Sequence, residues 1–251
     1  MNIPETEPTP RSSDDPARSC GAGIAGETAQ SAAGVAATSP AASPAGRSCA
    51  GLPAATVDLS RFDNSGFDRG ASRLKEACWL LVRWLFFAPS WLPANGLRCW
   101  LLRRFGAKVG RGVVIKPGVK ILFPWRLRIG DFVWIGEDAY LLNLVPITIG
   151  SHVCISQRAF LCTGNHDYRS PAFDLAASPI LIEDGAWIGS ATWVGPGVTA
   201  GTHSVLTAGS VATRDLSPYM VYQGNPAVPI RRRVINARPG LAEDSNESRG
   251  A

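Results

Sequence analysis

The sequence predicts an all-β fold, a parallel β-helix of hexapeptide repeats with a short N-terminal helical cap. Three observations predict it. First, an aliphatic residue or Ala returns at every sixth position: Val109, Ile115, Ile121; then Ile129, Ile135, Leu141; then Ile149, Ile155, Leu161; then Ile182, Ile188, Val194, Ala200 and Leu206. Second, the residue after it is usually small, and the fifth place of each hexad is small or β-branched. Third, neither a helical period nor strand alternation gives this beat, whereas one short side of a β-helix coil does. The aliphatic residue then points into a narrow core, and the Gly after it is expected to turn the corner with positive φ.

Three hexads make one triangular coil. Coil starts fall at Val109, Ile129, Ile149, Ile182 and Ala200. The jump from Ile149 to Ile182 is too long for one coil, so residues 165–179 (NHDYRSPAFDLAASP) are expected to leave the stack as a loop. A loop held by a rigid stack is where function is expected.

The other segments follow from composition. Residues 1–56 are rich in Ala, Ser, Pro, Gly and Thr, cannot bury enough surface to offset ordering entropy, and are expected to be disordered. They lack a basic start followed by an apolar run, so they do not read as a secretory signal. Residues 57–107 are expected to form the helical cap. Within them Ala77–Ala88 (ACWLLVRWLFFA) is strongly apolar, too short to span a bilayer, and ended by Pro89. It covers the open end of the β-helix, or makes a peripheral membrane contact through Trp79, Trp84, Trp91 and Trp100 beside Arg83, Arg103 and Arg104. A second helix is expected from Asn95 to Phe105. The β-helix domain runs over 108–235, and 236–251 is a second disordered tail.

The formal net charge is +5. Basic residues are split between Arg98–Arg111 and Arg231–Arg233 rather than gathered with aromatics on one face. That pattern disfavours a nucleic-acid partner and favours a phosphorylated small molecule or an anionic membrane surface. Six Cys occur with no C-x-x-C spacing, which fits a reducing, cytoplasmic compartment and no metal site.

Only three His are present. His152 and His203 occupy the same outer corner of their hexads and read as structural. His166 breaks the pattern, standing where the loop leaves the stack. An imidazole there can act as general base toward a hydroxyl group. Asp167 can orient it or bind substrate, although adjacent residues seldom face each other, so a backbone carbonyl can do the orienting instead. Asn143 lies one coil earlier at a comparable corner, either as a turn residue or as a donor to an oxyanion or substrate hydroxyl. Cys162 is close enough in sequence to be weighed as an acyl-accepting thiol, but it sits inside the coil register.

These residues carry a resemblance. SRFDNSGFDRG at 60–70, FPWRLRIGD at 123–131, the run TGNHDYRSPAF and the terminus GNPA are similar to the hexapeptide-repeat acyltransferases. Within them the chain resembles colanic acid biosynthesis acetyltransferases, relatives of maltose, galactoside and nodulation acetyltransferases. The resemblance covers residues 57–235. It implies a left-handed β-helix, a homotrimer, acetyl-CoA as co-substrate and a sugar or glycan-precursor acceptor. It puts the catalytic base on His166 and a substrate-side or oxyanion amide on Asn143. It also puts an acetyl-CoA channel aromatic on Trp187, close backbone approach at Ala208 and Thr213, and phosphate contacts on Arg214 and Arg231. Thr207, where Gly is usual, and Ala200, which thins the core, are departures. Two other functions stand beside this one: a non-catalytic β-helix scaffold, and an O-acetyltransferase of a non-sugar molecule such as serine. A γ-type carbonic anhydrase would need three His around zinc, and only one is suitably placed.

Overall fold

A computed structural model of the protein describes residues 56–92 and 94–236. The expectations for 1–55 and 237–251 fall outside the described residues.

The hexads form a parallel β-helix with three sheets as its sides. One side stacks Lys108–Val109, Leu127–Ile129, Ile147–Ile149, Ile180–Ile182 and Thr199–Ala200. The second begins with Val114–Ile115 and ends with the antiparallel pair Met220–Gly224 and Ala227–Arg232. The third runs from Lys120–Ile121 to Val211–Ala212. Val109, Ile129, Ile149, Ile182 and Ala200 are aligned partners, which is the register of the hexads.

The aliphatic columns are the core. Ile135, Ile155, Ile188, Leu141 and Leu161 are all fully buried, and each Ile or Leu so buried stabilises the coil by about 1.5–3 kcal/mol. The fifth-place residues Val133, Val153, Ala139 and Ala159 fill the space beside them and are buried too.

The structure corrects the account of the corner glycines. Gly130, Gly136, Gly150, Gly189 and Gly201 do not have positive φ. They are required because the coils touch. A Cβ on Gly136 would lie 2.6 Å from the Gln157 nitrogen, and one on Gly189 would lie 2.6 Å from the Leu206 carbonyl oxygen. The left-handed residue is instead the fourth of the hexad, at Phe132, Asp138, His152, Arg158, Ala191 and His203, or Gly112 and Gly118. His152 and His203 are therefore corner residues of the stack.

The cap begins with α1 (Arg73–Val82), started by the Ser72 side chain. It continues as a π-helical turn over Arg83–Phe87, then α2 (Asn95–Arg104). The first coil would leave an open sheet edge, and the cap satisfies its polar groups. Asn95 Nδ2 donates to the Val113 carbonyl at 2.9 Å, and its Oδ1 accepts from the Ile115 nitrogen at 2.7 Å. The Trp79 indole donates to the Ile121 carbonyl at 2.9 Å, and the Gly118 nitrogen donates to the Phe87 carbonyl at 2.6 Å. Buried Trp79, Phe87 and Leu102 close the apolar column beneath.

Candidate active site

The excursion is a hairpin. Gly164–His166 pairs antiparallel with Leu175–Ala177, and the Ser178 nitrogen donates to the Thr163 carbonyl at its root. Buried Thr163 ties that root to the coil below through its hydroxyl, which donates to the Leu142 carbonyl at 2.8 Å. His166 is thus one residue pair from the turn, on a two-stranded ribbon anchored to the stack.

The orientation of the imidazole is determined by three contacts. Nδ1 lies 2.8 Å from the Phe173 carbonyl oxygen. A carbonyl can only accept, so Nδ1 is the protonated nitrogen and Nε2 carries the lone pair. The Phe173 ring stacks on the imidazole with centroids 4.5 Å apart, and the Phe62 ring meets it edge-on at 5.6 Å. Phe173 has φ of 57°, which a residue with a bulky side chain seldom adopts. The Ser170–Asp174 hydrogen bond (2.7 Å) and the Phe173 N–H to Ser170 carbonyl bond (3.0 Å) hold the turn in that conformation. Asp167 does not orient the imidazole. Its carboxylate accepts from the Arg169 nitrogen at 2.9 Å and shapes the turn. Neither Phe173 nor Phe62 was assigned a role from the sequence, though both lie inside quoted motifs.

Phe62 arrives on the N-terminal segment, which is tied down along its length. The Asp58 nitrogen donates to the Pro171 carbonyl at the hairpin turn, at 2.8 Å. Arg126 donates to the carbonyls of Asp68 and Leu144, while its guanidinium lies over the rings of Phe67 and Phe123. The Trp125 indole donates to the Arg69 carbonyl at 2.8 Å, and Arg69 is paired with Glu76 at 2.7 Å. These contacts explain SRFDNSGFDRG and FPWR as two halves of one clasp.

Asn143 is corrected in position. It is not at an open corner but fully buried. Its Oδ1 accepts from the nitrogens of Leu122 (3.2 Å) and Phe123 (2.9 Å), and its Nδ2 donates to the Phe123 carbonyl at 2.6 Å. This amide braces the turn that carries Phe123 and Arg126. Cys162 is buried as well. Burial pushes its thiol up from the ordinary range, against a smaller lowering effect of the Gly164 backbone, and the S–H donates to the Gly164 carbonyl. A thiol held protonated is a poor nucleophile.

A cavity of about 350 Å³ lies under the hairpin, lined by Asn165, Ala176, Ser178, Trp193, Gly195 and Thr213. The structure thus brings Thr213 to the ribbon that carries His166, with exposed Arg214 next to it. Trp187 and Ala208 do not line this cavity. Trp187 is 47% exposed on the second side, its indole donating to the Ser156 hydroxyl of the coil below at 2.9 Å. Ala208 is exposed one coil above Ser190, beside Gly209, whose nitrogen donates to the Ser190 carbonyl. Arg231 is exposed on the last strand of the second side.

No family model matches the chain. The colanic acid biosynthesis acetyltransferase WcaF of Escherichia coli K12, so named, is 45% identical over 177 residues, 70% of this chain and 97% of that one. The chain belongs to the hexapeptide-repeat acetyltransferases. Galactoside O-acetyltransferase of Escherichia coli is 32% identical over 142 residues, covering 55% of this chain and 68% of that protein. Among solved structures, a hexapeptide-repeat acetyltransferase of Vibrio cholerae complexed with acetyl coenzyme A has a TM-score of 0.58 at 31% identity, covering 66% of this chain and 92% of that one. A galactoside acetyltransferase in complex with coenzyme A gives 0.58 at 27% identity, covering 63% and 80%. In this hexapeptide-repeat acetyltransferase the hairpin carries the oriented imidazole, and its neighbour Asn165 lines the cavity under the same hairpin.

Proposed function

We propose that this acetyltransferase moves the acetyl group of acetyl-CoA directly to a hydroxyl of a sugar or glycan precursor, with His166 as general base. The single observation that carries this reading is the Nδ1–Phe173 carbonyl bond, which assigns the proton to Nδ1 and leaves Nε2 to act as base. The names of the relatives support the acyl donor and the class of acceptor.

A sugar hydroxyl does not ionise by itself at neutral pH. Nε2 takes its proton as the oxygen attacks the thioester carbonyl carbon. The tetrahedral intermediate then collapses, the C–S bond breaks, and the imidazolium returns its proton to the CoA sulfur. No acyl-enzyme is needed, and buried, protonated Cys162 is unsuited to forming one. The developing oxyanion needs a donor. The buried amide of Asn143 already donates to the Phe123 carbonyl, which disfavours it for this role and leaves a loop N–H as the candidate.

In this reading CoA runs along the last coils. Ala208 and Thr213 give close approach, Trp187 forms a wall, and exposed Arg214 and Arg231 meet the phosphates. Trp187 and Ala208 lie on a different side from Thr213, so the cofactor crosses the coil corner or is completed by a neighbouring copy. The second alternative agrees with a homotrimer that covers outward Trp134 and Trp187, which are 58% and 47% exposed. The test is release of CoA thiol from acetyl-CoA in the presence of a panel of sugars and sugar nucleotides, with CoA binding followed by thermal shift. Turnover with at least one sugar hydroxyl is expected. CoA binding without turnover on any acceptor would point to a scaffold.

A further inference from the structure

We propose that the N-terminal cap is a docking surface for an anionic lipid membrane. The apolar residues of the cap divide into two sets. Trp79, Phe87 and Leu102 face the first coil and are buried, and these are enough to close the β-helix. A second set faces away from it: Leu74 (74% exposed), Leu81 (57%), Trp84 (69%), Trp91 (79%) and Trp100 (55%). Capping does not use them, and exposed apolar groups this large on one helical cap mark an interaction site.

Charge identifies the occupant. Between Ala77 and Gly130 the chain holds ten Lys and Arg and not one Asp or Glu. Arg98 is buried against the carbonyls of Phe86 and Leu92, and Arg126 belongs to the clasp. Arg83, Arg104 and Lys120 make no ion pair among the described residues and stand beside the exposed Trp and Leu side chains. A groove of about 320 Å³ between cap and coil combines Leu80, Trp84 and Ala88 with Arg83 and Lys120, and Asp138 is its one acidic group. Indole rings and exposed Leu side chains beside Arg and Lys are the composition of a surface that lies in a lipid interface. Each cation near an anionic leaflet adds attraction. A second copy docking the same face would oppose cation with cation. Residues 1–56 contain no aromatic residue with which to cover the Trp side chains. No helix among the described residues is long and apolar enough to cross a membrane, so the contact is peripheral.

The proposal is independent of the catalytic role of His166. Its test is co-sedimentation of the full chain with vesicles of phosphatidylcholine, and with vesicles of an equal mixture of phosphatidylcholine and phosphatidylglycerol. Binding to the mixed vesicles is expected to be at least about tenfold tighter and to fall with added salt. Replacing Trp84→Ser together with Trp91→Ser should weaken it by at least about tenfold. Arg83→Glu with Arg104→Glu should weaken it similarly. Both positions of each pair are at the surface, so the melting temperature should stay near wild type, which certifies the fold. Equal binding of wild type and both double variants to the mixed vesicles would overturn the proposal, as would no binding at low salt. Light scattering in which the Trp double variant breaks up an assembly would also overturn it, assigning the patch to a second copy.

Discussion

Asn143→Ala tests whether this amide braces the fold or takes part in the chemistry. The substitution removes one acceptor and one donor from a fully buried place. The Phe123 nitrogen loses its partner at 2.9 Å, whereas the Leu122 nitrogen keeps the Leu141 carbonyl at 3.2 Å and the Phe123 carbonyl keeps the Arg126 N–H at 2.9 Å. A buried polar group left without a partner costs about 1–3 kcal/mol. One group is orphaned and two lose a second hydrogen bond, so the total is about 2–3 kcal/mol. For a domain of this size that lowers the melting temperature by roughly 4–12 °C. The assay is thermal unfolding followed by circular dichroism, with kcat measured well below the new transition. Bracing predicts the full loss of stability and a modest loss of kcat. A variant that melts with wild type but loses about 100-fold in kcat would refute the reasoning and make the amide an oxyanion donor.

Three further outcomes are expected. Phe62→Ala removes the edge contact on the imidazole and should lower kcat roughly three- to tenfold with KM for acetyl-CoA unchanged, while Phe62→Tyr should restore it; a rise in KM alone would show that Phe62 touches substrate instead. Ala208→Trp should raise KM for acetyl-CoA by about tenfold or more by filling a surface that is open in the structure, and steady-state kinetics showing an unchanged KM would move the cofactor elsewhere. Cys162→Ala should keep kcat within about twofold, with no acetylated Cys162 found by mass spectrometry of wild type during turnover.

The β-helix was legible because its signal is local and repeated. One aliphatic residue in six sets core, coil and register at once, so that Val109, Ile129, Ile149, Ile182 and Ala200 can be aligned by counting. The reason for the corner glycines was not legible. Both positive φ and coil-to-coil contact call for Gly, and only coordinates separate Gly136, pressed on Gln157, from Gly118, whose φ is 76°. In the site, His166 stood out because it interrupts the hexads. Its supports did not, because they depend on contacts between distant segments. Phe62 reaches it from more than a hundred residues away, and Phe173 serves it through a backbone carbonyl, which any residue possesses. A sequence signal existed for Phe173 only as part of the TGNHDYRSPAF run. Asn143 shows the converse: a turn residue and a catalytic amide have the same letter, and burial distinguishes them.

The most direct test of the account is kcat for His166→Ala in the purified full chain, with CoA binding followed in parallel. Removing a positioned general base should lower kcat by about 10²–10⁴-fold while CoA still binds. A His166→Ala protein that turns over at the wild-type rate would contradict the assignment of Nε2 as the base and, with it, the mechanism.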